Sequence, residues 1–153
     1  MQALDRLSAL EHDAGKLERE IRELLRVRGC THLLAIRGVG PIVAATILGE
    51  TRGISRFRSS AAFAAHTGTA PIPASSGRTH RHRLNRGGNR QLNRALYTIA
   101  MVQARWEPAA RLYLDRKLAE GKSAAEARRC LKRHLANIVY RALIADMNNL
   151  ALT

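Results

Sequence analysis

From Leu7 to Leu24 the apolar residues alternate spacings of three and four: Leu7, Leu10, Ala14, Leu17, Ile21 and Leu24. A helix turning every 3.6 residues gathers such positions into one seam, whereas a strand would scatter them over both faces. Residues 2–28 are therefore predicted to form one helix, with pairs such as Glu18 and Arg22 on its outside. Three heptads are short for a free coiled coil. The seam is expected to pair with a partner or to pack on the domain behind it. Gly15 weakens the helix middle by up to ~1 kcal/mol relative to Ala.

The rest of the chain repeats helical spacing between clear stops. Residues 33–50, LLAIRGVGPIVAATILGE, read as a short helix, a tight Gly38-Val39-Gly40 turn and a second helix. Pro41 falls where a first-turn proline is tolerated, and Val43, Ile47 and Leu48 form an apolar stripe. Ser59 and Ser60 can cap a small-residue helix containing Phe63. Residues 68–80 are loop by their Gly, Pro and Ser content. A further helix is predicted to start near Asn89, with Leu92, Leu96 and Ile99 inward. Pro108 ends or restarts it, and Gly121 stops the helix over 109–119. Ser123 and Glu126 have the spacing of a capping box, opening a last helix through about Asn148. Its inward face is Leu131, Leu135, Ile138, Ala142 and Leu143. The β-branched runs are too short for a sheet. The expected fold is all-α: a heptad segment at 2–28 and a helical domain at 30–150.

Charge narrows the function. The chain has 153 residues and a net charge of +14. Between Glu50 and Glu107 it has no acid and ten arginines. A solvated face normally mixes both signs, so this stretch points to a polyanion, with nucleic acid first. No apolar run approaches the ~18 residues that span a bilayer, and the N-terminus lacks a signal-peptide core. No membrane partner and a cytoplasmic location are expected. Cys30 and Cys130 read as reduced thiols. His66, His80, His82 and His134 show no metal-ligand spacing, and no metal is expected in this chain.

Three motifs carry candidate chemistry. Gly38, Val39 and Gly40, flanked by Leu33, Ile36, Ala44 and Ile47, form a helix-hairpin-helix pattern. It would aim unpaired helix-start N–H groups at a DNA phosphate. The second motif is basic: Arg78, Arg81, Arg83, Arg86, Arg90 and Arg94. Of these, Arg86, Arg90 and Arg94 are spaced by four and are predicted to share one helical face. The third is the loop Ala74-Ser75-Ser76-Gly77-Arg78. A serine nucleophile needs activation, and nearby Arg78, His80 and Arg81 could stabilise a pentavalent phosphoryl group. From the residues alone the signal is weak, because paired serines beside Gly are common in ordinary loops.

Together, IRGVGPIVAATILGE, FRSSAAFAAHTGTAPIPASSG, HRLNRGGNRQLNRALY and YLDRKLAEGKSAAEARRCLKRHLANIVY, in that order, resemble the C-terminal domain of insertion sequence 110 family transposases over roughly residues 30–147. In that family a long helical region precedes this domain, as residues 2–28 would here. The resemblance implies a serine nucleophile that links covalently to DNA, at Ser75 or Ser76 by motif position. It also implies a guide RNA as a partner, and an N-terminal ribonuclease-H-like domain holding Mg2+ on acidic residues.

The twelve acids of this chain are scattered, and none lies near the serine loop. Any Mg2+ is therefore expected only in an acidic domain outside these residues. The chain is expected to be the DNA-binding C-terminal part of a transposase, contributing to strand transfer and inactive alone. Its partners would be DNA, the guide RNA, and a second copy or an acidic-domain transposase docked through the N-terminal helix. The alternative is a stand-alone helix-hairpin-helix nucleic-acid-binding module without recombinase activity.

Overall fold

The computed structural model describes residues 2–73, 82–83, 85 and 87–151. Seven helices follow in order among them: α1 (Gln2–Val27), α2 (Thr31–Leu34), α3 (Pro41–Thr51), α4 (Ser60–His66), α5 (Arg90–Trp106), α6 (Pro108–Ala119) and α7 (Ala124–Leu150). A 3-10 turn spans Ile54–Arg56. The all-α expectation holds with one addition: β1 (Ile72–Pro73) pairs antiparallel with β2 (His82–Arg83), Ile72 opposite Arg83 and Pro73 opposite His82. Two-residue strands leave no alternation to read; β1 lies inside the stretch read as loop, residues 68–80, and β2 just after it.

α1 is a single helix, and among the described residues most of its seam packs on nothing. Leu7, Leu10, Leu17 and Leu24 are exposed, and only Ile21 and Leu25 reach the core. The expectation that the seam packs on the domain behind it therefore fails for most of its length. Leu25, one position off the seam, is the anchor. The helix ends in a Schellman motif, because Gly29 adopts φ +66° without a Cβ clash. There Cys30 N–H donates to Leu25 O and Gly29 N–H to Arg26 O.

The four-residue α2 is too short to hold itself, and a distant carboxylate holds it. Asp146 of α7 is buried and accepts from the backbone N–H of His32 at 2.8 Å and of Leu33 at 3.0 Å. An acid at a helix start offsets both the unpaired N–H groups and the helix dipole. Its third contact, with His32 Nδ1 at 2.9 Å, fixes the imidazole beside it.

The longer helices are bounded as their residues dictate. Ser59 Oγ accepts from Ala62 N–H to start α4. Asn89 Oδ1 accepts from Leu92 N–H to start α5. Pro41 and Pro108 occupy first-turn positions of α3 and α6. Ser123 and Glu126 complete a reciprocal capping box on α7. The long α7 packs against α2, α4, α5 and α6, and α5 packs on its other side against α3. Leu33, Ala44, Ile47, Phe63, Leu96, Ile99, Leu135 and Ala136 are fully buried where these helices meet. Tyr140 of α7 closes one edge, its hydroxyl donating to Phe57 O at 3.3 Å.

Candidate nucleic-acid interface

The start of α5 is locked to the end of α4 through two glycines. A Cβ on Gly88 would stand 2.2 Å from Gly68 N and 2.3 Å from its Cα, so the two backbones touch where neither can carry a side chain. Gly68 also adopts φ +69°. Asn89 N–H donates to His66 O at 2.7 Å, and Asn89 Nδ2 donates to Glu50 at 2.6 Å. Asn93 Nδ2 donates to the carbonyl of buried Thr67 at 2.9 Å. The β1–β2 ladder, just beyond, joins the two ends of the segment 74–81.

A concave pocket of about 470 Å³ opens at this corner, lined by Asn85, Gly88, Arg90, Asn93, Arg94, Tyr97 and Lys132. At about 100° per residue, Arg90, Asn93, Arg94 and Tyr97 share one face of α5. Arg90 and Arg94 are exposed, and neither has an ion-pair partner among the described residues. Lys132, from α7, is 8% exposed. Its ammonium donates to Asn93 Oδ1 at 2.5 Å and lies 5.9 Å from the Tyr97 ring centre. Burial, reinforced by the neighbouring Arg129, holds the Lys132 pKa below the ordinary lysine range.

The Gly38–Gly40 turn is built differently. Gly38 has φ +93°, and a Cβ there would stand 3.2 Å from Ile99 Cα, so this glycine serves packing against α5. Val39 is buried, and its N–H donates to Ile36 O at 2.9 Å. Gly40 alone opens outward: nothing lies within 4 Å of where its Cβ would be. It precedes α3 with no side-chain cap, leaving the first N–H groups of that helix without one. The nearby Arg37 is paired with Glu107 at 3.2 Å, and Gln103 Nε2 donates to Arg37 O at 2.9 Å. Gly38 meets α5 at Ile99 and Val102, roughly half a turn around that helix from the arginine face.

Of the predicted site residues, Arg90 and Arg94 thus come together, while Gly38, Val39 and Gly40 form a separate place. Ser75, Ser76, Arg78, Arg81 and Arg86 lie outside the described residues. Arg83 sits in β2 opposite Ile72. α5 begins at Arg90, after the Asn89 cap. His66 packs on Phe57, ring centres 5.1 Å apart, and His134 stacks on Tyr113 at 5.6 Å. Among the described residues no group of three or more His, Cys, Asp or Glu could hold a metal ion. No helix among them is long and apolar enough to cross a membrane. Sequence reasoning passed over Gly88, Asn89, Asn93 and Lys132. The acid-free context of RGGNRQLNR was the available signal, but the lysine is 39 positions from Asn93.

Comparison with known proteins decides the family. The model of the Transposase IS116/IS110/IS902 family matches residues 30–115. This chain belongs to that family. It is 34% identical over 139 residues to an uncharacterized 43.6 kDa protein of insertion element IS110 from Streptomyces coelicolor, covering 90% of this chain and 34% of that protein. It is 35% identical over 138 residues to an uncharacterized 42 kDa protein of insertion element IS900 from Mycobacterium paratuberculosis, covering 88% and 35%. A 44.8 kDa protein of insertion element IS116 from Streptomyces clavuligerus matches at 29% over 140 residues, 90% of this chain and 35% of that protein. The chain spans about a third of the length of these curated relatives. The family match covers the turn, the segment 74–81, the corner residues of α5 and most of α6.

Proposed function

We propose that this chain is the DNA-binding C-terminal part of an insertion-sequence transposase, and that it presents Ser75 or Ser76 as the nucleophile of strand transfer. One observation carries the reading. Arg90 and Arg94 stand exposed at one pocket without an ion-pair partner among the described residues, and in the sequence both serines fall between the paired strands β1 and β2 that precede these arginines. A nucleophile for a phosphodiester needs the DNA backbone held beside it, and unpaired arginines supply that grip.

In the transfer step the serine Oγ forms an ester to phosphorus, and the bond from phosphorus to the sugar oxygen breaks. The serine proton goes to a base, and the departing oxygen takes up a proton. The arginines stabilise charge on the pentavalent phosphoryl group as it develops. The Gly38–Gly40 turn acts as a helix-hairpin-helix contact, with the open N–H groups after Gly40 meeting a different stretch of backbone. The exposed seam of α1 is the surface for a second chain.

The test is covalent capture. The full-length transposase is incubated with end-labelled element DNA, denatured, and digested for mass spectrometry. A phosphoserine-linked nucleotide on Ser75 or Ser76, lost in the matching Ser→Ala variant, is expected. If both Ser75→Ala and Ser76→Ala keep full recombination, the serines are loop residues and the chain is a binding module alone.

A further inference from the structure

Lys132 is out of place for a lysine. It is nine-tenths buried, yet its polar contacts are a neutral amide oxygen and an aromatic face. No carboxylate among the described residues pairs with it, with Arg90 or with Arg94. Taking an ammonium out of water is expensive unless a counter-charge compensates it. Here the surroundings add positive charge: Arg90 and Arg94 line the same pocket, and Arg129 stands nearby on α7.

The rest of the pocket holds the lysine in place. Asn93 is fixed at its other end by the Thr67 carbonyl, so its Oδ1 points at the ammonium from a set position. The Tyr97 ring faces the ammonium from the same helix face. An ammonium has three donors, and one is taken by Asn93. The arginine forks on the exposed side are free to approach an oxyanion.

We infer that this pocket between α5 and α7 is a seat for one phosphodiester group of bound nucleic acid, with Lys132 at its base and Arg90 and Arg94 at its rim. The seat rests on the DNA-binding reading above and gives it a definite address. Asn93 is a positioning residue, acting through the lysine.

The test uses Lys132→Met in the full chain, because methionine keeps the length of the stem and removes the charge. If the charge serves a ligand, losing it leaves the melting temperature of the free chain unchanged or raises it by about 2–4 °C. Duplex DNA affinity should then fall about tenfold near 0.15 M salt. The slope of log K against log[salt] should shrink by about 0.9, one phosphate contact. Inorganic phosphate is the second probe: 10 mM should raise the melting temperature of the wild-type chain but not of Lys132→Met.

If Lys132→Met lowers the melting temperature and leaves the salt slope unchanged, the lysine is structural and the seat is overturned, while the DNA-binding reading stands. A phosphate effect that depends on Lys132, in a chain that binds no DNA, keeps an anion seat but overturns its assignment to nucleic acid. Failure of both probes overturns the seat outright.

Discussion

The Gly38–Gly40 turn and the corner at the start of α5 are both glycine-built, yet they use glycine for opposite ends. At the turn, Gly38 packs on α5, Val39 is buried, and Gly40 alone faces outward; the nearby arginine is already paired with Glu107. At the corner, Gly68 and Gly88 draw two backbones together, and the side chains beyond them are positive and unpaired. The turn can offer only backbone dipoles. The corner offers full charges, one of them buried. The difference teaches that a motif's glycines need not mark its ligand. What surrounds them decides whether they serve packing or binding.

The comparison is sharpest at the glycines themselves. Gly88→Ala would drive a methyl group into the Gly68 backbone, which cannot move aside as a flexible side chain would. A loss of about 3 kcal/mol is expected in urea unfolding, at the upper end of overpacking effects. Gly40→Ala has open space and an ordinary φ of −88°, and should change stability by less than about 0.5 kcal/mol. Equal losses at both sites would erase the distinction.

A smaller effect separates the two proposed binding modes. Gly40→Asp would cap α3 with its own carboxylate and fill the anion position, since Asp is a strong N-cap. Duplex affinity should fall about tenfold, with the chain slightly stabilised. The salt slope should shrink by no more than about 0.9, the one charge that Asp itself adds, because the lost contact is a backbone dipole. A larger loss of slope would show that the turn binds through charge after all.

A third effect belongs to the corner alone. The folded pKa of Lys132 lies below its unfolded value because of burial and then Arg129. Between those two values the unfolded chain binds more protons, so stability rises with pH below the ordinary lysine value of 10.5. Lys132→Met should flatten that rise in denaturant melts, and Gly40→Asp should leave it. The least effect is expected from α1. Removing residues 2–17 should leave duplex affinity within about twofold, because none of the seam so removed touches the core. A cut through Leu25 would instead remove a buried anchor, at about 2–5 kcal/mol.

Much of the architecture was legible from local rules. The proline starts at Pro41 and Pro108, the stop at Gly121, the serine caps and the Ser123–Glu126 box all act within one helical turn. The inward positions Leu92, Leu96 and Ile99 followed from period alone. What escaped is long-range. Asp146 caps a helix that begins more than a hundred positions earlier. Asn93 meets Lys132 across the α5–α7 interface, and no spacing rule couples them. The seam of α1 was readable as a seam, but not as one that is exposed at Leu7, Leu10, Leu17 and Leu24 and packs on the core only at Ile21.

The most direct test of the charged corner is the salt dependence of duplex binding by the wild-type chain beside Arg90→Ala/Arg94→Ala. Titration at 50–300 mM salt should give a steep linear fall of log K with log[salt] for the wild type. In the double variant the slope should shrink by about 1.8, two phosphate contacts. An unchanged slope in the double variant, or a wild-type affinity indifferent to salt, would contradict the account.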